Sequence, residues 1–367
     1  MKRDSIPLSV PNLGKAEIDE VSKTLLSGNL VQGKICGELE SKFENYFGTK
    51  YAILVSNGTA ALHLSLLSLG IGAGDEVIVP SYSFIASANA VKLTGANPVF
   101  VDLAKDQVNL DVKQISNLIN TKTKAILVVH EFGLTADMKR ILEIADQYGI
   151  HIVEDSACAF GSRAYGKLLG THGVIGCFSF HPRKIITCGE GGLIITNDPE
   201  VANLIISLRN HGIKPGTTER SYVNVGFNYR MTEISASILA IQFSKLDEFI
   251  YRRNQIATRY LDEIKSPYIK HISKLPQETL NWQSFPILLI NENIADLMLD
   301  YLKYKRISSI RPSQLIPSEP SFFANHILER DFPNSYEIWR KCIVIPMFET
   351  LSDLEISYII EALNEFK

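Results

Sequence analysis

Residues 51–103 read YAILVSNGTAALHLSLLSLGIGAGDEVIVPSYSFIASANAVKLTGANPVFVDL, from Tyr51 to Leu103. Three short apolar runs rich in Val and Ile (YAILV, EVIVP, NPVFV) are separated by two segments of helical length (GTAALHLSLLSLG, SFIASANAVKLTG). The runs are apolar on successive residues, so each strand is expected to be buried on both faces. Such strands alternating with helices form βαβ units, and the expected fold is α/β: a mostly parallel sheet with helices on both sides.

The same rhythm extends outward. KAILVVH (Lys124–His130), the helical ADMKRILEIADQYG (Ala136–Gly149) and IHIVEDS (Ile150–Ser156) continue it, and the pattern runs to about Asn210. Beyond the loop NHGIKPGTTERSYVNVGFNYR the texture changes. MTEISASILAIQFSKLDEFIYRRNQIATRYLDEI (Met231–Ile264) predicts one or two long helices with a charged outer face. QSFPILLI, CIVIPMF and the final helical LSDLEISYIIEALNEF predict a smaller C-terminal α/β domain. The boundary falls near Leu246, giving domains 1–245 and 246–367, two being the default for 367 residues.

Composition narrows the function. With 46% hydrophobic and 21% charged residues the chain reads as an ordinary globular protein with a large core. A net charge of -3 offers no general attraction for nucleic acid or membrane. The five cysteines are scattered and form no CxxC pair, so neither a disulfide framework nor a zinc site is indicated. MKRDSIPLSVPN has no apolar signal core, and no apolar run reaches about 18 residues. A cytoplasmic, reduced protein is expected. The eight histidines show no HExxH or HxH pattern, which disfavours a metal hydrolase. GIGAG (Gly70–Gly74) follows a helix and precedes a strand, the reverse of a dinucleotide fingerprint.

In open α/β sheets ligands gather at the carboxyl ends of the strands, so the residues there carry the chemistry. After YAILVS, Asn57-Gly58-Thr59 opens a helix; it suits a phosphate, though taken alone simple capping with a tight turn explains it better. After EVIVP comes Phe84, able to stack on a flat ring or to sit in the core. After IHIVE, Asp155 either caps a turn or holds a positive ring nitrogen. FSFHPRKIITCGEGGLIITND (Phe178–Asp198) then sets Ser179 and Lys184 between two strand-like runs, where an ammonium would be costly to desolvate. A lysine for a Schiff base, an acid for a pyridinium nitrogen and a Gly-Thr turn plus Ser for a phosphate are the parts that pyridoxal phosphate (PLP) chemistry uses.

SNGTAAL, VEDSACAFG, FSFHPRKIITCGEGG, RNHG and GFNYRMTEISA closely resemble the DegT-type nucleotide-sugar aminotransferases, PLP enzymes of fold type I. SGNLVQGKICGELESKFENYFGTKYAILVSNGT and IPMFETLSDLEI extend the likeness over nearly the whole chain. The resemblance implies a seven-stranded mixed sheet in the large domain. It implies Lys184 as the residue joined to PLP and as the proton-moving base, and Asp155 on the pyridine nitrogen. It further implies Phe84 against the ring and Gly58, Thr59 and Ser179 on the phosphate. Asn228 matches a residue that reaches the phosphate from a neighbouring subunit, which implies a homodimer with shared sites. Cys158 stands where many relatives have Gln or His against the cofactor's ring hydroxyl, and a thiol is a poor donor there.

Relatives that dehydrate replace the lysine by histidine, so an intact Lys184 favours transamination over dehydration; a lyase of the same fold is the enzymatic alternative, and Lys184, Asp155 and Ser179 together argue against a non-catalytic regulator. The implied reaction moves an amino group from L-glutamate to a nucleotide-linked ketosugar in amino-sugar or polysaccharide synthesis, the GEGG segment favouring a 4-keto position. It needs no metal. Sugar recognition is expected from loops 214–222 and 313–325, with Lys214 and Arg220 as candidates for a diphosphate.

Overall fold

A computed structural model describes residues 4–216, 221–272, 278–322 and 328–367. Arg220 and residues 323–325, singled out above, lie outside the described residues.

Seven of the apolar runs form one sheet: β1 (Tyr51–Val55), β2 (Glu76–Pro80), β3 (Asn97–Val101), β4 (Thr123–Val129), β5 (His151–Asp155), β6 (Ile175–Ser179) and β7 (Gly192–Thr196). Their order is β1-β7-β6-β5-β4-β2-β3. The pairs β6–β5, β5–β4, β4–β2 and β2–β3 are parallel, and β7 runs antiparallel to both its neighbours. Six strands therefore end on one edge, and β7 begins there, with Gly192 paired to Val55 on one side and to Ser179 on the other. This is the α/β architecture with a mostly parallel, mixed seven-stranded sheet expected above.

Alternate residues of each strand enter opposite cores. Ile53 and Val55 of β1 join Ala61 and Leu64 of α1 (Gly58–Ser68), whereas Ala52 and Leu54 join Leu39 and Phe43 of the earlier helix Lys34–Phe47. Likewise Leu127 and Val153 face the first core, and Ile126 and Ile152 face Met138 and Ile141 of α2 (Met138–Tyr148). Burial on both faces is what the uninterrupted apolar runs require.

The long helical stretch is two helices, α3 (Glu233–Ser244) and α4 (Leu246–Glu263), meeting at Lys245. Leu246 and Phe249 pack with the helices of the large sheet, while Ile256, Ala257 and Tyr260 pack in a second core with Phe285, Met298 and Ile359. That core surrounds a small antiparallel sheet, Ile269–His271, Phe285–Leu289 and Cys342–Ile345. The N-terminal strap joins it, because Ile6 bridges to Ile307 and is buried in the same cluster. Arg253 of α4 is almost fully buried and pairs with Glu349 at 2.5 Å, while its guanidinium also donates to the carbonyls of Trp282 and Gln283. No helix among the described residues is long and apolar enough to cross a membrane.

Candidate active site

A cavity of about 850 Å³ opens at the carboxyl edge of the large sheet. Asn57, Gly58, Asp155 and Ser179 line it from the strand ends; Gln283, Ser313 and Met347 close it from the C-terminal half.

One side is built by the first turn of α1. Asn57 caps that helix, its Oδ1 accepting the Ala60 N–H at 2.8 Å. A Cβ on Gly58 would come within 2.8 Å of the Ser179 Cβ, and one on Gly192 within 2.3 Å of the Asn57 carbonyl oxygen. Side chains are therefore excluded at both glycines. The helix N-terminus is drawn against the hydroxyl at the end of β6. The result is a narrow cradle of backbone N–H groups, Thr59 and Ser179, a donor set that fits a phosphate.

Lys184 enters from the loop joining β6 to β7. The loop is folded on itself: Lys184 N–H donates to the His181 carbonyl at 2.8 Å, Phe180 N–H to Gly191 and Cys188 N–H to Phe180. Its Nζ donates to Cys158 Sγ at 3.1 Å. Burial opposes the Lys184 ammonium, yet Cys158, Asp155 and Glu131 around it outweigh burial and hold its pKa above the usual lysine value.

Asp155, at the end of β5, is buried. Its Oδ2 accepts from Ser87 Oγ at 2.8 Å and its Oδ1 from the Ala157 N–H at 3.2 Å. Burial raises its pKa. The residue before it, Glu154, points to the other side of the strand and is fully buried. It accepts from His130 Nε2 at 2.9 Å and from the N–H groups of Gly170, His172 and Gly173. His130 Nδ1 accepts the Ala136 N–H at 3.4 Å, so the ring proton sits on Nε2 and is given to Glu154. Burial disfavours the Glu154 carboxylate, but these donors prevail and its pKa lies below the ordinary value. The pair fixes β4 against β5 behind Asp155.

Phe84 stands at the cavity wall with 59% of its surface exposed, so the cavity side of its ring is open to a planar group. Cys158 lines the wall, with its thiol pKa pushed up by burial. Asn228 and Lys214 lie outside the lining of this chain's cavity; Asn228 forms a backbone bridge with Asn210, and the Lys214 N–H donates to the Ser221 carbonyl at 2.7 Å. Lysine, acid, aromatic face and phosphate cradle thus converge in one cavity, and together they fit PLP.

Four lining or supporting residues escaped the sequence reading or were left there without a role. Ser87 holds Asp155, and its only signal was its place three residues after Phe84. Glu131, in HEF, turns into the cavity behind β4 and is 5% exposed. Ser313 donates to it from the C-terminal half. Gln283 donates from Nε2 to the Arg183 carbonyl, and its buried Oε1 has no hydrogen-bond partner among the described residues. Nothing local in NWQSF marks Gln283, because its partner lies 100 positions away. Among the described residues no group of three His, Cys, Asp or Glu side chains is arranged to hold a metal ion.

Comparison with known proteins agrees with this geometry. A family model for the DegT/DnrJ/EryC1/StrS aminotransferases matches residues 11–364. GDP-perosamine synthase of Escherichia coli O157:H7 is 37% identical over 372 residues, covering 98% of each chain. Spr1654 of Streptococcus pneumoniae, solved in its PLP form, superposes with a TM-score of 0.94 at 29% identity, over 98% of both chains. DesV of S. venezuelae, solved in complex with a ketimine intermediate, superposes with a TM-score of 0.89 at 33% identity, over 95% of this chain and 93% of that one.

Proposed function

Because this chain belongs to the DegT/DnrJ/EryC1/StrS aminotransferase family of PLP-dependent sugar aminotransferases, we propose that it transfers an amino group from L-glutamate to the keto carbon of a nucleotide-linked deoxysugar, the 4-keto position being preferred. The observation that carries the reading is the meeting of Lys184, Asp155 and the Gly58–Ser179 cradle in one cavity. The likeness to GDP-perosamine synthase, whose name specifies a nucleotide-linked amino sugar, supports the substrate class.

Bound PLP supplies an electron sink that lets a C–N bond be made or broken next to an acidified C–H. Lys184 would hold the cofactor, and its amine would be the base that moves the proton at the reacting carbon, help worth roughly a hundred- to ten-thousand-fold in rate. Asp155 would serve as the counter-ion of the ring nitrogen, its orientation fixed by Ser87 and the Ala157 N–H. Gly58, Thr59 and Ser179 would hold the phosphate, Phe84 would offer its face to the ring, and Cys158 would line the cofactor's side of the wall as a small apolar group. Asn228 of a second copy completes the phosphate site, so the active form is a homodimer.

The reading is tested by the visible spectrum of the PLP-loaded protein before and after L-glutamate. A band that bleaches with release of 2-oxoglutarate is the expected result. A band indifferent to glutamate rules out that donor, and no band after adding PLP rules out Lys184 as the attachment point. Aminated enzyme is then offered nucleotide ketosugars, with 3-keto and 4-keto isomers compared directly.

A further inference from the structure

The side chain of Arg183 is used by nothing described so far. It lines the cavity next to Lys184 and is exposed, and its guanidinium has no hydrogen bond or ion pair among the described residues. The backbone of the same residue is tied on both sides. Its N–H donates to His181 Nδ1 at 3.3 Å, and its carbonyl accepts from Nε2 of the buried Gln283. Gln283 is held in turn: its N–H donates to Asn281 Oδ1 at 2.9 Å, and its carbonyl accepts from Arg253 at 3.1 Å. A free guanidinium therefore stands on a fixed base, and ordering it on a ligand costs side-chain freedom alone.

The cavity offers few other partners to an anion. Glu131, Asp155 and Glu190 are carboxyl groups, and Glu131 is held by Ser83 and Ser313. Glu190 is exposed and forms no ion pair among the described residues, so it leaves the guanidinium free. His181 is not a cation here. Its Nδ1 accepts an N–H, which requires that nitrogen to be unprotonated, and burial holds its pKa below the usual histidine value. Lys184 is committed to the cofactor in the proposed function. Of the two basic residues singled out in the sequence for a diphosphate, Lys214 lies outside the lining and Arg220 outside the described residues. Arg183 is then the one cation left among the described lining residues.

L-Glutamate and a nucleotide sugar differ in shape, but each carries anionic oxygens and each must bring its reacting carbon to the Lys184 nitrogen, one after the other. A guanidinium meets a carboxylate or a phosphate alike, through two parallel N–H···O bonds. We propose that Arg183 is the shared oxyanion anchor of the cavity, holding a carboxylate of the amino donor in one half of the reaction and the diphosphate of the nucleotide sugar in the other. One residue thereby makes the two substrates mutually exclusive.

The proposal rests on the function proposed above, and the test keeps the two apart by using probes that cannot react. The PLP-loaded protein, with its phosphate cradle filled, is titrated calorimetrically with glutarate and separately with inorganic diphosphate. The expected result is that wild type binds both, that each displaces the other, and that Arg183→Ala weakens both by about ten- to a hundred-fold. Arg183→Lys, which keeps the charge and loses the planar donor pair, recovers part of each affinity. Wild type that binds neither probe, probes that bind without competing, or an affinity for either that is unmoved in Arg183→Ala overturns the proposal. A visible band indifferent to glutamate instead overturns the donor reading, and the calorimetric result then stands on its own.

Discussion

Lys184 sits within reach of two carboxyl groups and a thiol, and its environment favours the charged amine. In the proposed function, loss of that amine would remove attachment and base together. Lys184→Ala should lower transamination by at least about a hundred-fold and abolish the covalent PLP band, as read by activity and absorbance on the same sample. Asp155→Asn keeps a group able to accept from Ser87 but removes the charge that a protonated ring nitrogen needs. It should slow the amino-donor half-reaction much more than it weakens PLP binding, and the ratio of the two effects is the measurement. Gly58→Ala pushes a methyl into Ser179. Its expected effect is the opposite pattern, with weaker PLP retention on dialysis and little change in the rate of whatever holoenzyme forms.

At the scale of the element, the cradle is a helix N-terminus held by one side chain. Asn57→Ala removes the cap of α1 and should cost about 1 kcal/mol of stability, read from denaturant midpoints, with PLP affinity falling alongside. The β4–β5 junction depends on Glu154, whose folded pKa is depressed. A depressed carboxyl contributes stability that is fully present above its unfolded pKa of about 4.3 and is lost as pH falls through the folded value. Glu154→Gln should therefore destabilise the protein near neutral pH, and the gap to wild type should narrow in acid below about pH 4.3; a constant gap across that titration would contradict the sign.

Across the whole molecule, the cavity exists only because two cores are held in register by α4, the N-terminal strap and a few buried polar ties. Arg253 with Glu349 is a charged one of these, their side chains being 2% and 6% exposed. Removing one partner leaves an uncompensated buried charge. Arg253→Ala should lose about 3–5 kcal/mol in unfolding experiments, and adding Glu349→Ala should recover part of it. Because Arg253 also holds the carbonyls of Trp282 and Gln283, the single variant should raise the KM for the sugar as Gln283 loses its place in the wall.

The apolar runs from Tyr51 to Ile195 were enough to specify the parallel sheet, since an uninterrupted Val- and Ile-rich strand has no stable place except between two layers of helices. The reading of strand ends singled out Gly58, Thr59, Phe84, Asp155, Ser179 and Lys184, which line one cavity because topology places such positions on one edge whatever the loops do. A break at Lys245 was legible only as the choice between one helix and two. The split of α4 between two cores, and the burial of Ile6 with the C-terminal half, depend on contacts among residues hundreds of positions apart. Glu131 shows the limit most clearly. Its sequence neighbours say that it ends a strand, but its burial, its two serine partners and its shared field with Lys184 come from three separated segments. Periodicity and strand-end position are local and were written in the chain; the charge balance of the cavity is a sum over distant groups, and only the packed molecule decides it.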